Sequence, residues 1–257
     1  MKNSEAILVT PKHFEIQECP VPEPKDHEIL MKVEYVGMCG SDIHGFEFGP
    51  FIPPKDPNQK IGLGHDTCEY CRTGRYNICP GVDFMATQPN YKGALTQYMT
   101  HPEEWTYHIP EGMTTMEGAL VEPAAVGMHA AVLGGAQPGK SIVILGGGTI
   151  GLMVLQACIS LGATDITVVD VIEKRLELAK KLGAARVING KEEDTVAVLR
   201  SEEMYGDHGV DLVFEAAGAV FTAQQAVQIV SRGGKIMMVG TQSKPVPIDF
   251  LKINREV

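Results

Sequence analysis

From about Ala124 onward, short apolar runs alternate with stretches whose apolar residues recur at helical spacing. Runs at Ser141 to Leu145, Ile166 to Asp170, Arg186 to Ile188, Leu212 to Glu215 and Lys235 to Val239 predict strands, with helices between them. Strands parted by helix-length segments are the signature of a parallel, doubly wound α/β sheet. The stretch from Ile172 to Leu182 puts Leu176, Ala179 and Leu182 on one face and ends at Gly183, where a left-handed cap suits glycine. Before about Pro123 the pattern changes. Prolines and turn residues break the chain into short β-type runs, Ala6 to Thr10 and Ile29 to Gly37 among them, and no helix longer than two turns is predicted before Met116. The reading is therefore a β-rich domain over 1–123 and an α/β domain over 124–257.

Composition narrows the function classes. A 44% hydrophobic and 21% charged content is globular usage, which removes disorder as the main state. Lys plus Arg number 22 against 32 Asp plus Glu, so a net charge of -10 repels phosphate backbones and argues against nucleic acid as a partner. No apolar run reaches the ~20 residues needed to cross a bilayer, and the N-terminal run in MKNSEAILVT is too short for a signal peptide. A cytoplasmic protein with no membrane partner is expected. Cys19, Cys39, Cys68, Cys71, Cys79 and Cys158 are too few to staple a chain of this length, but three of them fall within twelve residues. In a reducing compartment that crowding points to metal before disulfide.

The strongest motif opens the second domain. The apolar run SIVIL is followed by Gly146-Gly147-Gly148-Thr149-Ile150-Gly151 and then an amphipathic helix, the context in which a glycine-rich turn binds a dinucleotide. Gly146 permits the tight turn, Gly148 lets backbone approach a pyrophosphate, and Gly151 lets helix and strand pack closely, with the phosphates at the helix N-terminus. The next strand ends at Asp170, whose carboxylate suits the ribose hydroxyls of NAD and repels the 2′-phosphate of NADP. Arg175, on the helix that follows, joins this cofactor-binding set. The competing reading is a glycine turn that binds nothing, or binds another nucleotide.

Two candidate metal sites lie in the first domain. Cys39, His65, Asp66 and Glu122 offer thiolate, imidazole and carboxylate, the mixed donors of a catalytic zinc with an open position. Against this, a single Cys39 also fits a small buried hydrophobe, and Glu122 before Pro123 also fits a helix-start acid. Cys68, Cys71 and Cys79 form the second cluster, one ligand short of a closed structural zinc site. His65 precedes Cys68 by three residues and can supply that ligand, so it stands between the two sites.

The segments GMCGSDIH, GHD, CEYCRTGRYNIC, KGALTQYM, ALVEPAAVGMHA, VILGGGTIG, VVD, AAG and RGGKIMMVG, in this order, resemble the zinc-dependent medium-chain dehydrogenases. GMCGSDIH and the EP step are most similar to the sorbitol and xylitol dehydrogenase branch. The resemblance implies a GroES-like barrel with a catalytic zinc, a Rossmann domain holding NAD, and reversible oxidation of a secondary alcohol of a small-molecule polyol to a ketose. It further implies Cys39, His65 and Asp66 as zinc-site groups, Glu122 as another group at the metal, and Ser41 as proton acceptor. His44 is the candidate to carry the proton onward, or else a structural histidine. Trp105 and Phe46 are candidate pocket walls or core anchors. The family forms homo-oligomers. Three departures are legible: Asp66 stands where the family has Glu, His65 lies unusually close to Cys68, and the chain is shortened at its C-terminal side. A non-catalytic NAD-binding module with a zinc lobe is thus the alternative to the enzyme, and a cysteine redox sensor is a third.

Overall fold

The computed structural model describes residues 2–49, 68–80, 85, 93–249 and 253. The chain divides into two compact units, Met1–Ala119 and Leu120–Val257. In the first, β1 (Lys2–Thr10) and β2 (His13–Pro20) form an antiparallel hairpin, and β3 (Glu28–Lys32) pairs in its turn with β4 (Tyr98–Pro102). Asn3 ties the two pairs together. Its buried amide donates to the Tyr98 carbonyl at 3.0 Å and its Oδ1 accepts from the Tyr98 N–H at 2.9 Å, so strand-like pairing continues through a side chain.

The same unit carries α1 (Gly40–Phe48), α2 (Glu69–Arg72) and α3 (Thr115–Ala119), with single 3₁₀ turns at Tyr76–Ile78 and Glu103–Trp105. At nine residues α1 exceeds two turns, which corrects the expectation of no such helix before Met116. The missed signal is Asp42, whose carboxylate accepts from the Cys39 N–H at 2.7 Å and so satisfies a group at the helix start. The Ile29 to Gly37 run also ends early as a strand, because β3 finds partners on β4 only as far as Lys32, opposite Tyr98.

The second unit begins with α4 (Val121–Gly134) and continues as β5 (Ser141–Leu145), α5 (Thr149–Ser160), β6 (Asp165–Asp170), α6 (Glu173–Lys181), β7 (Arg186–Asn189), α7 (Thr195–Leu199), β8 (Val210–Glu215), α8 (Val220–Ile229) and β9 (Val230–Met238). The five strands make one parallel sheet in the order β7-β6-β5-β8-β9, so the expected doubly wound sheet is present. Alternation along β5 drives its burial on both faces. Ile142 and Ile144 join Val154, Leu155 and Ala131, whereas Val143 and Leu145 join Leu199, Ala226 and Ile229. Each such aliphatic side chain, fully buried, contributes about 1.5–3 kcal/mol. Gly183 has φ 102 and closes α6 as expected. β9 begins earlier than Lys235, with a register shift that Gly233 at φ 71 accommodates.

Strand order reverses between β5 and β8. In an open α/β sheet the crevice outside the strand ends at that point is where ligands bind.

Candidate functional site

The turn after β5 occupies this crevice, and each of its glycines meets a different constraint. Gly146 has φ 108, and a Cβ there would lie 2.7 Å from the Ala217 backbone nitrogen. A Cβ on Gly151 would lie 1.8 Å from the Gly146 carbonyl oxygen, so only glycine lets α5 approach the turn. Gly148 is the opposite case. Nothing lies within 4 Å of its built Cβ, and it precedes a twelve-residue helix with no side chain capping the N-terminus. Open space beside uncapped amide groups fits a phosphate group. Thr149 is exposed and Ile150 packs on the core, so Ile150 offers a ligand its backbone rather than its side chain.

Asp170 ends β6 and faces this turn. Its Oδ2 accepts from the Gly147 N–H at 2.7 Å, while Oδ1 accepts from the Val171 and Ile172 N–H groups at 2.8 and 2.9 Å. Arg175 Nη1 stands 3.4 Å from Oδ2. The acid predicted for ribose recognition therefore also closes the glycine turn, a duty that spacing alone does not reveal. Beyond it, a cavity of about 430 Å³ is lined by Gly190, Thr195, Val196, Ala197 and Phe221 among others, and the Gly190 N–H donates to the Asp170 carbonyl at 3.1 Å.

Three thiols converge in the first unit. Cys68 Sγ is 3.5 Å from Cys71 Sγ and 3.7 Å from Cys79 Sγ. Four sulfurs around zinc at about 2.3 Å in tetrahedral array are about 3.8 Å apart, so these three sulfurs fit zinc. Burial, and next the neighbouring sulfurs, push the Cys71 thiol up to about 11; a bound cation would take the place of those protons. Tyr76 in the adjoining turn meets Trp105 edge-on at 5.3 Å, which makes the lone tryptophan a packing partner of this lobe.

Cys39 stands exposed at the start of α1 with its sulfur against the Ser41 hydroxyl. His44 follows Ser41 by one helical turn, so both lie on one side of α1, where the half-buried His44 ring meets Phe48 at 5.2 Å. Phe46 stacks on Phe14 at 5.5 Å, a structural contact. An exposed thiol and hydroxyl at one helix start, with a half-buried imidazole one turn further on, fit a catalytic metal and a proton path. Glu122 lies exposed in the first turn of α4, in the second unit, where a carboxylate suits the helix dipole. His65 and Asp66 lie outside the described residues.

Residues 149–256 match the family model described as zinc-binding dehydrogenase. The chain is 58% identical to the uncharacterized zinc-type alcohol dehydrogenase-like protein YdjJ of Escherichia coli, with all of this chain and 82% of that protein covered. It belongs to the zinc-type medium-chain alcohol dehydrogenase family. The dehydrogenase is also 36% identical to sorbitol dehydrogenase of Bacillus subtilis over 97% of this chain and 79% of that protein. A crystal structure of an Escherichia coli oxidoreductase/dehydrogenase of unknown specificity superposes with a TM-score of 0.92 at 56% identity, covering 100% of this chain and 82% of that one. The fold class is accordingly a GroES-like domain joined to a Rossmann domain, and the protein is an oxidoreductase of the alcohol dehydrogenase type. Among the described residues no helix is long and apolar enough to cross a membrane.

Two residues that shape the second unit escaped the sequence reading. A Cβ on Gly127 would lie 2.5 Å from the Met153 carbonyl carbon, so α4 and α5 touch backbone to backbone there. Glu215, fully buried at the end of β8, is the other. Its signal was available: an acid ending an apolar strand, as Asp170 does on β6.

Proposed function

We propose that this dehydrogenase oxidises a secondary alcohol of a small-molecule polyol to a ketone, with NAD and zinc as its cofactors. The observation that carries the substrate class is the 36% identity to a sorbitol dehydrogenase along 97% of the chain. When bound, zinc supplies a Lewis acid that lowers the pKa of the alcohol, and NAD supplies the hydride acceptor. Cys39 and His65 would hold that zinc, with Asp66 and Glu122 as further groups at the metal. Ser41 takes the hydroxyl proton, and His44, one turn further along α1, carries it toward solvent. Cys68, Cys71 and Cys79 would hold a second, structural zinc.

On the nucleotide side, the amide groups at Thr149 and Ile150 would hold the pyrophosphate in the space beside Gly148, and Asp170 would accept from the ribose hydroxyls with Arg175 alongside. The cavity at Gly190 would take the adenosine end. A buried carboxylate repels a 2′-phosphate, which favours NAD over NADP. Asp170→Ser is therefore expected to shift the ratio of NADP to NAD affinity toward NADP by about tenfold or more, about 1.4 kcal/mol, even as it loosens the Gly147 turn. Dissociation constants for both nucleotides check this, and an unchanged ratio takes Asp170 out of the ribose site.

Metal content separates the two zinc sites. Cys39→Ala and Cys71→Ala are each expected to remove their own zinc ion, and His65→Ala to behave like Cys39→Ala. If His65→Ala instead copies Cys71→Ala while Cys39→Ala retains all its zinc, His65 belongs to the lobe and the catalytic assignment falls.

A further inference from the structure

A carboxylate with no exposed surface ends β8. Glu215 is fully buried there, and its partners are neutral donors. Its Oε1 accepts from the Ala217 and Gly218 N–H groups at 3.1 and 3.0 Å and from the Thr222 hydroxyl at 2.7 Å, while Oε2 accepts from Gln242 Nε2 at 3.0 Å. A charge buried against neutral groups is costly, and an aliphatic side chain in its place would serve stability as well or better. What the carboxylate does that an aliphatic group cannot is fix the path of the chain just after β8, since the Ala217 and Gly218 amides both end on it.

That path runs against the glycine turn after β5. The Ala216 N–H donates to the Leu145 carbonyl at 2.8 Å, and a Cβ on Gly146 would lie 2.7 Å from the Ala217 nitrogen and 2.9 Å from the Ala216 carbonyl carbon. Backbone therefore meets backbone, with no compliant side chain between Ala217 and Gly146 to absorb a shift. The turn is bounded by two acids: Asp170 bonds to Gly147 from β6, and Glu215 backs Gly146 from β8 through Ala217. On the other side of Glu215, a Cβ on Gly240 would lie 2.8 Å from Oε2, so the carboxylate has no room to move away from its donors.

We propose that Glu215 is a positioning residue for the dinucleotide turn. By holding Ala217 and Gly218 it sets Gly146, and through it the open amides past Gly148, for a pyrophosphate it does not touch; this rests on the nucleotide reading above. The task needs acceptor oxygens and not charge. A glutamine keeps an oxygen for Ala217, Gly218 and Thr222, and its NH₂ meets Gln242 once that amide turns round, whereas a methionine of similar size keeps no such acceptor.

Binding and amide hydrogen exchange on folded protein test this together. Glu215→Met is expected to weaken NAD about tenfold or more, and Glu215→Gln to restore affinity to within about threefold of native. In Glu215→Met, exchange at Gly147, which bonds to Asp170 and not to Glu215, is expected to quicken along with Ala217 and Gly218 while β6 and β7 keep native protection. Native NAD affinity in Glu215→Met overturns the proposal, as does a loss of affinity accompanied by equally faster exchange throughout β6 and β7, which marks general loosening. A Glu215→Gln protein as impaired as Glu215→Met overturns it too. Should Glu215→Met fail to fold, Thr222→Val removes one donor at nearly constant shape: about threefold weaker NAD with native protection in β6 and β7 supports the proposal, and native affinity overturns it. Failure of NAD and ADP-ribose alike to bind the native protein overturns the nucleotide reading itself, and this inference with it.

Discussion

Gly151→Ala is expected to destabilise the second unit by about 3 kcal/mol and to abolish NAD binding, because the added methyl would lie 1.8 Å from the Gly146 carbonyl oxygen. Both atoms belong to the turn's own framework: α5 must retreat from β5, and the packing of Val154 and Leu155 on Ile142 and Ile144 goes with it. Gly148→Ala makes the contrast. Its φ of -70 suits any residue and its Cβ would meet no atom within 4 Å, so stability should hold to within about 0.5 kcal/mol. The same methyl nevertheless fills the space in which a pyrophosphate would lie, and NAD binding should be lost. Urea midpoints and NAD dissociation constants for the two variants check the pair. Equal stability losses would show that the open space at Gly148 is not the cradle described above.

Ser41→Ala is expected to keep both zinc and NAD while turnover falls about 10²-fold or more, the range of general acid and base effects. Asp42 secures the start of α1 by accepting from the Cys39 N–H and so sets Cys39, Ser41 and His44 along one helix. Because the Ser41 hydroxyl touches the Cys39 sulfur, metal content must be measured alongside rate. Full turnover with zinc retained would move the proton path to another group.

Much of the second unit was legible because local rules and the fold agree there. Strand runs of apolar residues, glycines at fixed offsets and an acid at a strand end are readable in order along the chain, and β5, α5 and β6 realise them with Asp170 bonded to Gly147. What escaped depends on contacts between distant residues. Gly127 matters only because α5 brings Met153 against it, and the buried Glu215 carboxylate only because Gln242, 27 positions later, turns its amide to it. α1 escaped for a local reason: two of its nine residues are glycine, which weakens helical propensity, and the acid at Asp42 was the one signal in its favour. The convergence of Cys68, Cys71 and Cys79 was readable from spacing. The duty of His65 was not, since spacing and motif draw it to different sites.

The reading of this chain as a zinc- and NAD-linked polyol dehydrogenase is tested most directly by following reduced nicotinamide with the purified protein, metal-stripped and zinc-reconstituted, across a panel of polyols. Zinc-dependent formation of NADH with at least one polyol, slower with NADP, is the result expected. NAD binding with full zinc content but no NADH from any polyol or simple secondary alcohol would contradict it and leave a nucleotide-binding module in its place.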